Sequence, residues 1–361
     1  VSPEVLPPNM RKHVDPAAPV PLRMMAAKSL VPLTPPDMLS ALFMLTFDAD
    51  ASVRETAAKT AAGLPDRILS VALRDEGLKP PVLGYFLEVL GGNDTFAEML
   101  LLNPATPDPA VAVVARTGSA RLLEIIGENQ LRLLRHEDIV RQLCANPNAS
   151  PALVDRISDF AVRSGLVLAD VPQMQQARVR LFGPQAALAP PDPGPTAEEV
   201  MRDYKEAVTS EAAAPLEEGK KLNLTQRILK MSIAEKIKLA TLGNKEARGI
   251  LVRDPNKLVA LAAIHSPRIT DGEIMAQANN KAAHEDVLRS IYASKEWTKE
   301  YPVKLALVKN PKVPVAVTMR FLATLRESDV KDLAKNKNVP SGVQVLAKRM
   351  MEKKNAPKAS K

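Results

Sequence analysis

A short apolar run, a stop at Asn-Pro, Asp-Pro or Ser-Pro, and a fresh start within a few residues: this phrase recurs along the chain and restricts its fold more than any other feature. The stops read Asn103-Pro104-Ala105-Thr106-Pro107, Asn146-Pro147-Asn148-Ala149-Ser150-Pro151, Asp254-Pro255, Ser266-Pro267 and Asn310-Pro311-Lys312-Val313-Pro314, with Asn338-Val339-Pro340 as a looser relative. Proline withholds an amide donor and drives the residue before it out of the helical region, so each stop ends a helix. A Pro, Ser or Thr a few positions on suits the first turn of the next one. The phrase predicts stacked short helices.

In the amino-terminal part the pattern predicts helices near 21–31, 37–47, 52–62, 66–75, 81–90, 94–102, 108–116, 120–134, 137–145 and 151–164. Helices of about three turns are marginal alone, so their stability has to come from apolar faces packed on neighbours. Composition points the same way. The 361 residues are 46% hydrophobic, ample for a sizeable core, but only 3% aromatic, which leaves Leu, Val, Ile, Ala and Met to build it. No stretch alternates apolar and polar residues long enough to propose a sheet of several strands. The expected fold is all-α, an α-solenoid of short antiparallel helices in two lobes.

Charge divides those lobes. Residues 1–218 carry 20 Lys+Arg against 28 Asp+Glu, a net of −8, whereas residues 219–361 carry 29 against 13, a net of +16. The type of base changes as well, from 15 Arg and 5 Lys to 8 Arg and 21 Lys. Between them Gly183-Pro184 and Ala189-Pro190-Pro191-Asp192-Pro193-Gly194-Pro195 read as an extended spacer. Thr196-Ala197-Glu198-Glu199 then matches a capping box. The expected organisation is an extended segment over 1–20 and an acidic, Arg-type helical lobe over 21–182. A Pro-rich linker over 183–221, with one helix near 196–213, leads to a basic, Lys-rich helical lobe over 222–352 and a basic flexible tail over 353–361.

Two phrases resemble known helical repeats. The segment Asp48-Ala49-Asp50-Ala51-Ser52-Val53-Arg54-Glu55-Thr56-Ala57-Ala58 resembles the second-helix signature of HEAT-like repeats, an acidic turn before Val-Arg and small residues. The phrase Cys144-Ala145-Asn146-Pro147-Asn148-Ala149-Ser150-Pro151-Ala152-Leu153-Val154 resembles the leucine-rich repeat variant family, whose short units pair helices around an Asn-Pro turn. It returns as Leu307-Val308-Lys309-Asn310-Pro311-Lys312-Val313-Pro314 and, in degenerate form, as Leu333-Ala334-Lys335-Asn336-Lys337-Asn338-Val339-Pro340. The stretch from about Met231 to Arg349 is also similar to a group of uncharacterised bacterial helical-repeat proteins. These resemblances imply a fold. Members of the variant family can carry an amino-terminal cysteine cluster for an iron-sulfur centre, which this chain lacks.

Signals for catalysis are sparse. Cys144 is the only cysteine, which rules out an intramolecular disulfide and a thiolate-rich metal site and fits a reducing compartment. At the end of an apolar helix it reads as a small buried hydrophobe rather than a nucleophile. His13, His136, His265 and His284 have no second ligand at metal spacing. No phosphate loop, His-Glu-x-x-His or Gly-x-Ser-x-Gly motif occurs, so no enzyme activity, metal or cofactor is expected. The amino terminus lacks a secretory pattern, and no segment reaches the roughly 18 apolar residues of a membrane span. A cytoplasmic location without membrane contact is expected, and the opening Val1 fits either a non-ATG start or a trimmed fragment.

Position carries the remaining signal. If consecutive short helices run antiparallel, successive turns alternate between two edges, and the turns at 255, 281, 311 and 337 share one. That edge would carry Arg253, Lys257, Lys281, Lys309, Lys312, Lys335 and Lys337, with Asp254 the chief acid among them. Such a row attracts an acidic protein surface or phosphates; the competing reading is a solubilising face. Trp297, with Tyr292 and Tyr301, either fills a seam between repeats or stacks on a base. The expected function is a non-catalytic scaffold for protein–protein interaction whose basic edge docks an acidic partner. The alternative is binding of nucleic acid or a ribonucleoprotein through the Lys-rich edge and tail, and a lesser one is a base-excision enzyme of HEAT-like type. Opposite charges also allow the acidic lobe to contact and mask the basic one.

Overall fold

Helices begin where the sequence supplies a cap. Thr34, Asp50, Asn93 and Ser150 accept amide hydrogens of the first turns that follow them, and the helices Pro35–Leu45, Pro80–Leu90, Pro151–Arg163 and Pro172–Phe182 open on proline, whose missing donor is of no consequence there. Ser232, Asn244, Asn256 and His284 cap helices further on, and Thr270 forms a full capping box with Glu273. The computed structural model describes residues 1–75, 77–187, 194–202, 218–336 and 339–355, and among these it is all helical, without a strand.

The chain divides into two compact units, Val1–Pro191 and Asp192–Lys361. In the first, Pro80–Leu90 packs on Asp108–Thr117, which packs on Glu137–Ala145, while Asp94–Leu102 packs on Ala120–Glu128. In the second, Ile233–Leu242 packs on Lys257–Ile264, which packs on Glu285–Ala293, while Asp271–Asn279 packs on Tyr301–Lys309. Each of these helices thus meets a partner two or three helices further along, a contact pattern consistent with a solenoid-like stack. Leu122, Ile126, Leu143 and Ile157 fill the first core; Val259, Ile264, Leu288 and Leu307 fill the second. Complete burial of each such side chain contributes roughly 1.5–3 kcal/mol.

Polar groups tie the stack as well. Arg132 is buried and donates to the carbonyls of Asn103 and Thr106 at 2.7 and 2.6 Å and to Asp108 at 2.8 Å, so one guanidinium satisfies the turn of the preceding repeat. Arg248 makes a two-pronged pair with Glu273 at 2.9 and 3.0 Å and donates to the Gly243 carbonyl at 2.9 Å. The fork geometry of arginine suits both sites better than lysine would.

Three expectations need correction. The helix expected over 120–134 breaks into Ala120–Glu128 and Gln130–Arg135, because the Asn129 side chain accepts the Arg132 amide hydrogen and restarts the chain. The helix Pro172–Phe182 has no counterpart in the sequence reading, since it buries only Met174 and Ala177 and its apolar period is thin. The 1–20 segment is not extended: it holds short helical turns at Pro3–Val5 and Arg11–His13 and buries Leu6 and Val14. The capping box expected at Thr196 does form, and the helix starts there; Ala197 and Val200 are buried, and the Ala197 amide donates to Glu235 at 2.9 Å. The rest of the helix expected near 196–213 lies outside the described residues, as do 356–361 of the tail, whose first residues extend the helix Ser341–Asn355.

Candidate functional site

The turns of the second unit close in one way. A side-chain oxygen at the stop accepts the amide hydrogen two residues on: Asp254 from Asn256 at 2.8 Å, Asn280 from Ala282 at 2.9 Å and Asn310 from Lys312 at 3.0 Å. Asn310 then donates from Nδ2 to the carbonyls of Ala278 and Asn280, at 2.9 and 3.1 Å, and Lys312 donates from Nζ to that of Ala283 at 2.8 Å. These bonds set the turns at 281 and 311 side by side. The turn at 255 joins them around an open cleft of about 940 Å³, whose walls include Arg253, Asp254, Asn280, His284, Glu285, Asp286, Arg289 and Lys312.

A second set of turns meets elsewhere. Arg268 donates to the Leu242 carbonyl at 3.0 Å, Arg320 donates to that of Tyr292 at 3.2 Å, and the Tyr301 hydroxyl bonds Asp329. Burial, then the bond to Asp329, raises the Tyr301 pKa. Trp297 belongs to this set. It is half-buried, with its ring centre 6.0 Å from that of His265, so it does not line the cleft.

Of the bases singled out in the sequence, Arg253 and Lys312 line the cleft and Lys281 lies between Asn280 and Ala282, which do. Lys257, Lys309 and Lys335 are exposed but outside its walls, and Lys337 lies outside the described residues. Lys312 has its ammonium on a backbone carbonyl and so clamps two turns together. Lys309 and Lys335 stand in the last turns of their helices, where a cation favours the helix dipole. Lys257 stands at the first position of Lys257–Ile264, where a cation opposes it.

Sequence reasoning missed the acids of the cleft other than Asp254. Glu285 and Asp286 open the helix Glu285–Ala293 and line the same walls as Arg253. Asp254 is matched by Lys236 at 2.8 Å, and Asp286 by Arg289 at 3.2 Å. His284 accepts the Asp286 amide hydrogen on Nδ1 at 3.3 Å. The side chains of Arg253, Lys257, Lys281, Lys309, Lys335 and Glu285 form no hydrogen bond or ion pair among the described residues. The signal for Glu285 and Asp286 was available: they follow the Asn280 turn within two turns of chain and occupy the start of the next helix, where acids are favoured.

The remaining polar candidates are accounted for locally. His13 is buried with Nδ1 3.2 Å from the Leu22 carbonyl, His136 precedes Glu137–Ala145, and His265 has Nε2 3.1 Å from the Ser290 hydroxyl. Among the described residues no three His, Cys, Asp or Glu side chains converge in a way that could hold a metal ion. Burial pushes the Cys144 thiol above its ordinary value, only partly offset by Ser158, which keeps it protonated. No described helix is long and apolar enough to cross a membrane. No family model matches the chain, and no match was found among curated proteins or solved structures.

Proposed function

We propose that this is a helical-repeat scaffold, of HEAT-like or leucine-rich-repeat-variant type, that binds another protein through the edge formed by the turns at 255, 281 and 311. One observation carries this reading: Arg253, Lys257, Lys281 and Lys309 are exposed cations without a partner among the described residues, on or beside turns that frame an open cleft. Uncompensated charge at a concave site raises the local concentration of a complementary partner. Asp254, Glu285 and Asp286 in the same walls favour a protein over a nucleic acid, because a continuous polyphosphate would have to face them. Trp297, the residue best suited to stacking on a base, stands with the other turns. The single cysteine supports a cytoplasmic setting.

The test is retention of the full chain on immobilised poly-glutamate, single-stranded RNA and duplex DNA over a salt series, beside a variant carrying Arg253→Glu, Lys281→Glu and Lys309→Glu. The expected result is salt-sensitive retention on the acidic polypeptide that the variant loses by about tenfold or more. Unchanged retention of the variant overturns the reading. Preferential retention on RNA or DNA, lost in the same variant, replaces it with nucleic-acid binding.

A further inference from the structure

Resting on that docking reading, we infer that the segment entering the cleft carries both signs of charge, with a basic side chain set against Glu285 and acidic ones against Arg253 and Lys281. The cleft itself sorts its charges into those already matched and those left over. Asp254 is matched by Lys236, Asp286 by Arg289, and the Lys312 ammonium by the Ala283 carbonyl. Two lining charges remain without a partner among the described residues, Arg253 and Glu285, with Lys281 between two lining residues.

A partner that covers the cleft removes water from both signs. An acidic run laid across it would satisfy Arg253 and Lys281 but would bring like charge to Glu285 while stripping that carboxylate of solvent, and the two effects act together. A lysine or arginine opposite Glu285 relieves both. Glu285 is therefore a specificity-determining residue: it discriminates against a uniform polyanion, while the surrounding cations supply the attraction. Glu285 is exposed and its side chain forms no hydrogen bond or ion pair among the described residues, so substitution by Gln gives up only the modest interaction with the helix dipole in the first turn of Glu285–Ala293.

Two labelled peptides of equal net charge separate the signs, one of repeated Glu-Glu-Lys and one of repeated Glu-Gln-Gln, titrated by fluorescence anisotropy at low salt against the full chain and its Glu285→Gln and Glu285→Lys variants. The wild type is expected to bind the Glu-Glu-Lys peptide roughly two- to fivefold more tightly, the range of an exposed ion pair. Glu285→Gln is expected to remove the preference and Glu285→Lys to reverse it. Equal binding of the two peptides by the wild type, or a preference that survives in Glu285→Gln, overturns this inference and leaves the docking edge standing. Failure of both peptides to bind the wild type overturns the docking edge and the inference with it.

Discussion

Asn310 donates its side-chain amide to the carbonyl of Ala278, 32 positions earlier, at 2.9 Å, and is only 2% exposed. Asn146 does the same in the first unit, reaching Ala115 at 2.9 Å and Gly118 at 3.3 Å. The oxygen of each side chain closes its own turn while the nitrogen fastens that turn to the previous repeat, so asparagine does what neither aspartate nor serine can do alone. Asn310→Ala should lower stability by about 1–3 kcal/mol, because the buried Ala278 carbonyl and the part-buried Asn280 carbonyl lose their donor. Asn310→Asp should cost at least as much, since a carboxylate would face those carbonyls. Urea unfolding followed by the fluorescence of Trp297, the chain's single tryptophan, measures both. Asn279→Ala, at an exposed position next door, should change stability by less than about 0.5 kcal/mol, and equal losses at 279 and 310 would refute the fastening role.

At Gly118 glycine matters for reasons of space alone. Gly118 has an ordinary φ of −68°, yet a Cβ there would stand 2.6 Å from the Val114 carbonyl oxygen and 3.2 Å from Val114 Cγ1. Gly118→Ala should therefore destabilise the first unit by about 1–3 kcal/mol, the usual range for overpacking. Gly249, inside the helix Lys245–Leu251, has nothing within 4 Å of that position. Gly249→Ala should stabilise by about 0.5–1 kcal/mol through helix propensity. Thermal unfolding of the two variants by circular dichroism should move in opposite directions, and a shared direction would show that local space does not govern these sites.

Features that act within a turn were legible in the sequence, and those that act between repeats were not. Proline and Asx chemistry operate over two or three residues, so the stops at Asn103, Asn146 and Asn310 place the helix ends Leu102, Ala145 and Lys309 directly. The amide bonds from Asn146 and Asn310, the Arg132 bridge and the Lys312 clamp span about one repeat, and no local pattern announces them. The same distance hid the acids of the cleft: Glu285 follows the Asn280 turn but reaches Arg253 only after the chain has traversed a helix and returned. Counting turns from Pro255 puts Trp297 on the other set, where its ring centre lies 6.0 Å from that of His265.

Glu273 gives the second unit a pH dependence. Burial pushes its carboxyl up, but the two bonds from Arg248 and those from Thr270 outweigh it and hold the group below its ordinary value of 4.5. A carboxylate depressed on folding contributes stability that is fully present above the ordinary value and fades as pH falls through the folded one. Stability of the wild type should therefore decline below pH 4.5 more steeply than that of Glu273→Gln. At neutral pH the variant should be weaker by about 1–3 kcal/mol, having left Arg248 without its charged partner. Urea midpoints at neutral pH and in the acid range, read from Trp297, decide this; parallel pH curves for the two proteins would show that Glu273 is not the linked group.

Lys257 separates stability from binding. It occupies the first position of Lys257–Ile264, where its charge opposes the helix dipole, and it has no partner among the described residues. A residue retained only for solubility or packing would gain nothing from this arrangement, whereas a docking cation would. Lys257→Glu should raise the stability of the second unit by about 0.3–1 kcal/mol at low salt while weakening retention on an acidic polypeptide. Lys309 offers the contrast: at the last turn of Tyr301–Lys309 it favours the dipole, so Lys309→Glu should lower both stability and retention. Unfolding midpoints and column retention measured on the same preparations test the pair. If Lys257→Glu leaves retention intact, the cation at the helix start has no part in docking, and the edge narrows to Arg253, Lys281 and Lys309.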